Sequence, residues 1–414
     1  MGTLQINSDR LWQRLNELAQ IGRIPGTDGC SRLALTQEDR QARDLVVTWM
    51  QGLGMDIVID GIGNVVGYWH GPRTDRSLPP VMTGSHIDTV RNGGRFDGNL
   101  GVLAGLEAIE TISEHGLSPD NPLAVGFFTG EEGARFAPDM LGSLVYVGGM
   151  PLEKALDVVG IDGARLGDEL EKIGYRGAGP CPGIVPKAFI ELHIEQGPVL
   201  EAEEITIGVV ESVQGISWTE LTIEGQSNHA GTTPMTMRRD AGYVASKIST
   251  YVREMALQIG GTQVGTVGKI DLYPNIVNVV ASKAIMTVDL RNTNETTLKE
   301  AEGRLHKFCH EISDEEHVTI ASQTLSRFEP VVFNEELVDI VASKASSLGF
   351  SSHRMTSGAG HDAQMLARVC PSAMIFVPSR NGVSHNPAEH TSLKEVTSGS
   401  NVLLHLLLEL AGCK

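Results

Sequence analysis

Residues 83–101, Thr-Gly-Ser-His-Ile-Asp-Thr-Val-Arg-Asn-Gly-Gly-Arg-Phe-Asp-Gly-Asn-Leu-Gly, hold His86, Asp88 and Asp97 among Gly84, Gly93, Gly94, Gly98 and Gly101. An imidazole such as His86 can ligate a metal through one ring nitrogen while Asp88 accepts the N–H of the other and fixes the tautomer. Asp97 can offer one oxygen to each of two ions. Further along stand Glu131-Glu132, His193, and His385 within Val-Ser-His-Asn-Pro. Imidazoles and carboxylates without thiolate suit Zn, Mn, Co or Ni. One bridging carboxylate, with a His and one further ligand per ion, makes a two-metal hydrolytic site. Adjacent Glu131 and Glu132 invite a division of labour: one binds metal, and the other stays free as general base toward metal-activated water. Each piece alone is weak, since a Glu-Glu pair is commonly a solvated turn.

These side chains need elements to aim them. Pro80-Val81-Met82 reads as a strand before the loop and Val102–Ile112 as a helix after it. That order puts the loop at the carboxyl end of a sheet strand, where open α/β folds bind ligands. Leu123–Thr129 predicts a strand that ends at the Glu pair, and Ala188–Ile194 a strand that carries His193. Before them, a helix over Ser8–Ala19 with a Ser/Asp cap and a second from Thr36 precede strands at Met55–Ile59 and Asn64–Trp69. Helical pieces follow at Leu152–Leu156 and Leu166–Ile173.

From about residue 209 the pattern changes. Trp218–Glu224 alternates as a strand, Arg239–Leu257 is helical, Thr262–Leu272 and Ile276–Arg291 read as strands, and Thr296–Ser313 and Val318–Leu325 as helix and strand. This is an α+β unit with a compact antiparallel sheet. After Pro330 the α/β pattern resumes with a helix at Glu335–Leu348, a glycine loop before His361–Arg368, a strand at Ala373–Val377 and a helix at Thr397–Leu410. The expected division is a discontinuous catalytic domain, 1–210 and 330–414, interrupted by 211–329.

A chain of 414 residues exceeds one ordinary core. Its net charge of −18 argues against nucleic acid and against anionic membranes as partners. No apolar run approaches the ~18 residues of a membrane span, and residues 1–10 lack the apolar region of a signal peptide. The five cysteines are scattered without Cys-x-x-Cys, so reduced thiols and a cytoplasmic setting are expected.

The segments Gly-Ser-His-Ile-Asp-Thr, Gly-Gly-Arg-Phe-Asp-Gly, Glu-Glu-Gly-Ala-Arg-Phe, Glu-Leu-His-Ile-Glu-Gln-Gly, Asn-His-Ala-Gly-Thr-Thr-Pro-Met, Gly-Ala-Gly-His-Asp-Ala and Ser-His-Asn-Pro-Ala-Glu follow one another through the chain. In this order they resemble the hydantoinase/carbamoylase amidases of the M20 metallopeptidase-like group, over essentially the whole length. The resemblance implies an α/β fold, with a mixed-sheet metallohydrolase domain, helices on both faces, and an inserted ferredoxin-like lid and dimerisation domain. It implies two divalent metal ions per subunit (Zn, or Mn, Co or Ni), held by His86, Asp97 as bridge, Glu132, His193 and His385, with Glu131 as base and Asp88 beside the ligands. M20 peptidases usually have a carboxylate where His193 stands, which points to the carbamoylase branch.

His229 resembles the residue of a homodimer that reaches the neighbouring subunit's site and polarises the scissile carbonyl. Asn278 resembles a substrate-holding amide and Arg291 the carboxylate clamp; Gln196 and the Gly358-Ala359-Gly360 loop, through Gly360, are further expected substrate contacts. The charge count agrees with a clamp. Two divalent ions are nearly neutralised by Asp97, Glu131, Glu132 and a bridging hydroxide, so a substrate carboxylate needs its own cation. The reaction implied is hydrolysis of the ureido C–N bond of N-carbamoyl-L-amino acids to amino acid, carbon dioxide and ammonia. Allantoate or ureidoglycolate amidohydrolase and β-ureidopropionase activities are the alternatives, with M20 peptidase or aminoacylase further off. His306 and His310 lack the Glu of a His-Glu-x-x-His site, and His361 is not counted as a ligand.

Overall fold

The computed structural model describes residues 4–414, and the chain divides into two units, one running to Val213 and resuming at Val332, the other Gln214–Val331. In the larger unit the strands are β1 (Asp56–Ile59), β2 (Val65–Trp69), β3 (Val81–His86), β4 (Leu123–Phe128), β5 (Ala188–Ile194) and β6 (Ile207–Val213). The smaller unit holds β7 (Gly215–Glu224), β8 (Val264–Tyr273), β9 (Lys283–Asn292) and β10 (Thr319–Phe328). The short β11 (Val331–Val332), then β12 (Ser352–Ser357) and β13 (Ser372–Val377), complete the chain's strands among the described residues.

The larger sheet runs β1-β2-β4-β3-β5-β13-β6-β11, with β12 also on β6. It is mixed: β4, β3, β5 and β13 lie parallel side by side, whereas β1/β2, β2/β4 and β13/β6 are antiparallel. Every residue of those four parallel strands is buried, as expected where both faces of a sheet are covered. Neighbouring residues of a strand point to opposite faces. Leu192 lies against Gly399 of the helix Leu393–Leu410, which packs with the helix Asn99–Glu114. Glu191, on the other face, accepts the backbone N–H of Ala363 in the helix Asp362–Leu366. The parallel strands end together, and the Glu pair (after β4), His86 (end of β3), His193 (in β5) and His385 (after β13) all belong to that edge.

The smaller unit is a β-α-β-β-α-β arrangement with antiparallel order β10-β7-β9-β8, the ferredoxin-like pattern. Along β9 burial alternates, so Ala284, Met286, Val288 and Leu290 pack on Val244, Ile248 and Val252 of the helix Ala241–Ile259 and Leu298 and Leu305 of the helix Glu295–Glu316. Among the described residues, no helix is long and apolar enough to cross a membrane.

Several elements differ from the sequence reading. The first helix is capped by Asn7, whose side chain accepts from Arg10 N, and not by the Ser/Asp pair behind it. The strand expected from Ile276 begins only at Lys283. Before it, Pro274 cannot donate to a ladder and Asn275 turns left-handed at φ 56°, which throws Ile276 and Val277 out into solvent. After the glycine loop, the segment from His361 holds a short helix, Asp362–Leu366. Strand β12, Ser-His-Arg-Met-Thr-Ser, has too little apolar alternation to be read as a strand.

Candidate metal centre

His86 closes β3, buried, and its ring lies against Gly98. A Cβ on Gly98 would sit 2.4 Å from that ring, and its φ of +66° favours glycine as well. The Nδ1 of His86 meets the backbone carbonyl of Asp88 at 2.9 Å. This corrects the expected role of the Asp88 carboxylate, which is 3.9 Å from Nδ1. The closer carbonyl takes the single N–H, and the carboxylate turns to the backbone N–H groups of Glu131 and Glu132, at 3.3 and 3.4 Å. Asp88 thus aims the glutamate pair, and burial raises its pKa to about 6.

His193 is held the same way, with Nδ1 2.9 Å from the carbonyl of Ile194. Its Nε2 accepts the N–H of Gly98 at 3.2 Å. With Nδ1 donating to a carbonyl, each ring presents the lone pair of Nε2. The Nε2 atoms lie 3.5 Å (His86) and 3.2 Å (His193) from Asp97 Oδ1. The other oxygen, Oδ2, faces His385 Nε2 at 3.4 Å, and His385 in turn lies 3.2 Å from Glu132 Oε2. Oδ2 also accepts from Gln196 Nε2 at 2.8 Å and lies 3.1 Å from Ser384 Oγ. Glu131 Oε2 stands 3.4 Å from His86 Nε2.

Two groups of ligand atoms therefore share Asp97: His86, Asp97 and His193, and Asp97, Glu132 and His385. The donor chemistry fits metal ions. Ring nitrogens set 3.2–3.5 Å from a carboxylate oxygen need a positive charge between them and it, which a metal ion or a ring proton supplies. The electrostatics say the same. Burial disfavours a charged His86, yet Glu131, Asp97 and Asp88 outweigh it and push its pKa well up. Asp97 and Glu132 raise His385 to about 11. Burial works against the Asp97 carboxylate, but His193, His385 and His86 hold its pKa well below the usual range. The pocket demands positive charge at the imidazole edges.

A third group, Glu191, His193 and His361, lies behind the first. His361 is buried, edge-on to the His193 ring at 4.5 Å, with Nε2 2.8 Å from Ser357 Oγ. Glu191 takes the Ser85 hydroxyl at 2.6 Å. The sequence reading used only His193 of Glu-Leu-His, although the two-residue period of a strand puts Glu191 on the same face. Gly360 precedes His361 in the loop between β12 and the helix Asp362–Leu366.

The remaining expected residues belong to the smaller unit. His229 and Val279 form a bridge, and Ala230 N donates to Asn278 O at 2.9 Å, so paired backbone segments bring His229 and Asn278 together. Both side chains are exposed. His229 Nδ1 accepts from the N–H groups of Gly231 and Thr232, at 3.0 and 3.2 Å, which leaves its proton on Nε2. Arg291 lies apart on β9, paired across the sheet with Ile216 and Val264. The spare cation expected there is bonded to Asp289, through Nε at 3.1 Å and Nη2 at 2.9 Å. Residues two apart on a strand share a face, which explains the pairing.

The family model for peptidase family M20/M25/M40 matches residues 82–409. An N-carbamoyl-L-amino-acid amidohydrolase of Rhizobium meliloti is 40% identical over 408 residues, covering 98% of this chain and 97% of that one. An N-carbamoyl-L-amino acid amidohydrolase of Geobacillus stearothermophilus is 39% identical over 411 residues, covering 98% and 99%. The crystal structure of a hydantoinase/carbamoylase family amidase from Burkholderia vietnamiensis superposes with a TM-score of 0.93 at 41% identity, over 99% of each chain.

Proposed function

The chain belongs to peptidase family M20/M25/M40 and, within it, to the hydantoinase/carbamoylase amidases, and we propose that it hydrolyses the ureido C–N bond of N-carbamoyl-L-amino acids. The observation that carries the reading is the pair of ligand groups joined through the two oxygens of Asp97, with Glu131 beside them. Two divalent ions bound there, of the Zn, Mn, Co or Ni class, would polarise a carbonyl and lower the pKa of water.

The chain's own residues do the rest. Glu131 Oε2 takes a proton from the attacking water and returns it to the departing nitrogen. Burial, with Asp362, Glu132 and Asp97 near and against the pull of His86, holds its pKa above the usual carboxylate range. Asp88 keeps Glu131 aimed through its backbone N–H. Gln196 has Nε2 fixed on Asp97, while its buried Oε1 has no donor among the described residues and accepts a ureido N–H. His229, whose proton is on Nε2, donates to the developing oxyanion from a partner subunit's smaller unit in a homodimer. Asn278 and the backbone at Gly360 hold the ureido acid, and Arg291 binds its carboxylate bidentately.

The test is ammonia release from a panel of N-carbamoyl-L-amino acids, N-carbamoyl-β-alanine, allantoate and ureidoglycolate, and free amino acid release from N-acetyl-L-amino acids, using protein stripped and reloaded with Mn, Co, Ni or Zn. The reading expects the N-carbamoyl-L-amino acids to turn over fastest. Faster turnover of allantoate or of N-acetyl substrates would overturn it.

A further inference from the structure

We propose that Glu389 is a positioning residue that fastens the loop bearing His385 to the loop bearing Asp97, and that the ion held by Asp97, Glu132 and His385 depends on it. The proposal rests on the metal reading above. Glu389 follows His385 by four residues and is buried, 3% exposed. Its Oε1 accepts the backbone N–H of Phe96 at 3.0 Å and of Asp97 at 3.2 Å, across 293 residues of sequence. Its Oε2 lies 2.8 Å from Ser384 Oγ, and the same hydroxyl is 3.1 Å from Asp97 Oδ2. One side chain therefore grips the backbone of Asp97 and reaches Ser384, whose single O–H serves either Glu389 Oε2 or the Asp97 oxygen that faces His385.

The loop it meets is shaped for it. A Cβ on Gly94 would fall 2.0 Å from Glu389 Oε1 and 2.1 Å from its Cδ, so a side chain there would evict the carboxylate. Beside it, a Cβ on Gly29 would fall 2.6 Å from Cα of Pro387 in the same His385 loop. A buried carboxylate is costly unless donors surround it, and these three donors all belong to the two loops it joins.

A brace for the whole fold would also be buried and bonded, so the discriminating feature is asymmetry. His86 and His193 stand on β3 and β5, and their own backbone carbonyls at Asp88 and Ile194 fix their rings. His385 is in a loop at φ +52°, with its side chain 53% exposed. Ser384 and Glu389 bracket it. Loss of Glu389 should loosen the His385 group and spare the His86 and His193 group.

The experiment is calorimetric titration of the stripped full chain with Mn(II), resolving the two binding steps, alongside thermal melting. The parent should bind two ions. Glu389→Ala should keep one step as in the parent and weaken the other by roughly 10- to 100-fold, the range for groups that orient ligands; kcat should recover with added Mn(II) at unchanged KM. Glu389→Gln should restore the weakened step, because its amide oxygen accepts from Phe96 and Asp97 and its NH₂ donates to Ser384. Gly94→Ala should reproduce Glu389→Ala, and the double variant should be no worse than either. A Glu389→Ala protein that binds both ions as tightly as the parent overturns the proposal. So does equal weakening of both steps with a lowered melting point, which marks a general brace. A parent that binds no ion overturns the metal reading itself, and this proposal with it.

Discussion

His193 and His229 carry the same ring in opposite tautomers. In His193 the backbone carbonyl of Ile194 takes the Nδ1 proton, so Nε2 offers a lone pair inside a buried cluster of carboxylates. In His229 two backbone N–H groups donate to Nδ1, so Nε2 offers a proton to solvent from an exposed loop. The first is fit to ligate a cation and the second to donate to an oxyanion. The local backbone, through which ring nitrogen it satisfies, decides what each imidazole can do. The contrast extends to the neighbours. Around His193, strand ends and packing fix the side chains; around His229 and Asn278, exposed loop segments carry them.

The comparison breaks first at Glu131. Glu131→Gln should lower kcat by about 100- to 10,000-fold, the usual range for a lost general base, with metal content unchanged by elemental analysis. Near-parent rates in a fully loaded variant would remove the proton-carrying role from the buried region. Next, His229→Ala should lower kcat by roughly 100- to 1,000-fold, as for a lost oxyanion donor, again without loss of metal, whereas His193→Ala should lose metal. If His229→Ala also sheds metal, the two histidines are not the opposites described here.

A smaller effect is expected at Arg291. Arg291→Ala should lower kcat/KM for carboxylate-bearing ureido substrates by about 10-fold, the low end for a charge-assisted hydrogen bond, because Asp289 already occupies part of the guanidinium. An uncharged ureido analogue should lose less. Asp289→Asn sharpens the point: relieved of a competing carboxylate, Arg291 should lower KM by a few-fold, an effect on the order of 1 kcal/mol. An unchanged or raised KM would mean that Asp289 holds Arg291 in place for binding.

Much of the centre was legible because its parts are local. Strand-loop-helix order places His86, and the run Ala188–Ile194 places His193, with the boundaries the structure has for that strand. What stayed hidden depends on contacts distant in sequence or on backbone atoms. The carbonyl of Asp88, and not its carboxylate, fixes His86, and no residue type announces that. Glu389 sat inside a recognised motif, yet its partners are the amides of Phe96 and Asp97. The Asp289–Arg291 pair was readable from strand period alone. Ile276 and Val277 misled for the opposite reason, since an apolar residue says nothing by itself about burial; both are exposed.

The most direct test of the account is the anomalous scattering of manganese in crystals of the Mn(II)-loaded protein. The account predicts two peaks per chain on either side of Asp97, one against Nε2 of His86 and His193, the other against Glu132 and His385. A single peak, or one held by Glu191, His193 and His361, would contradict it.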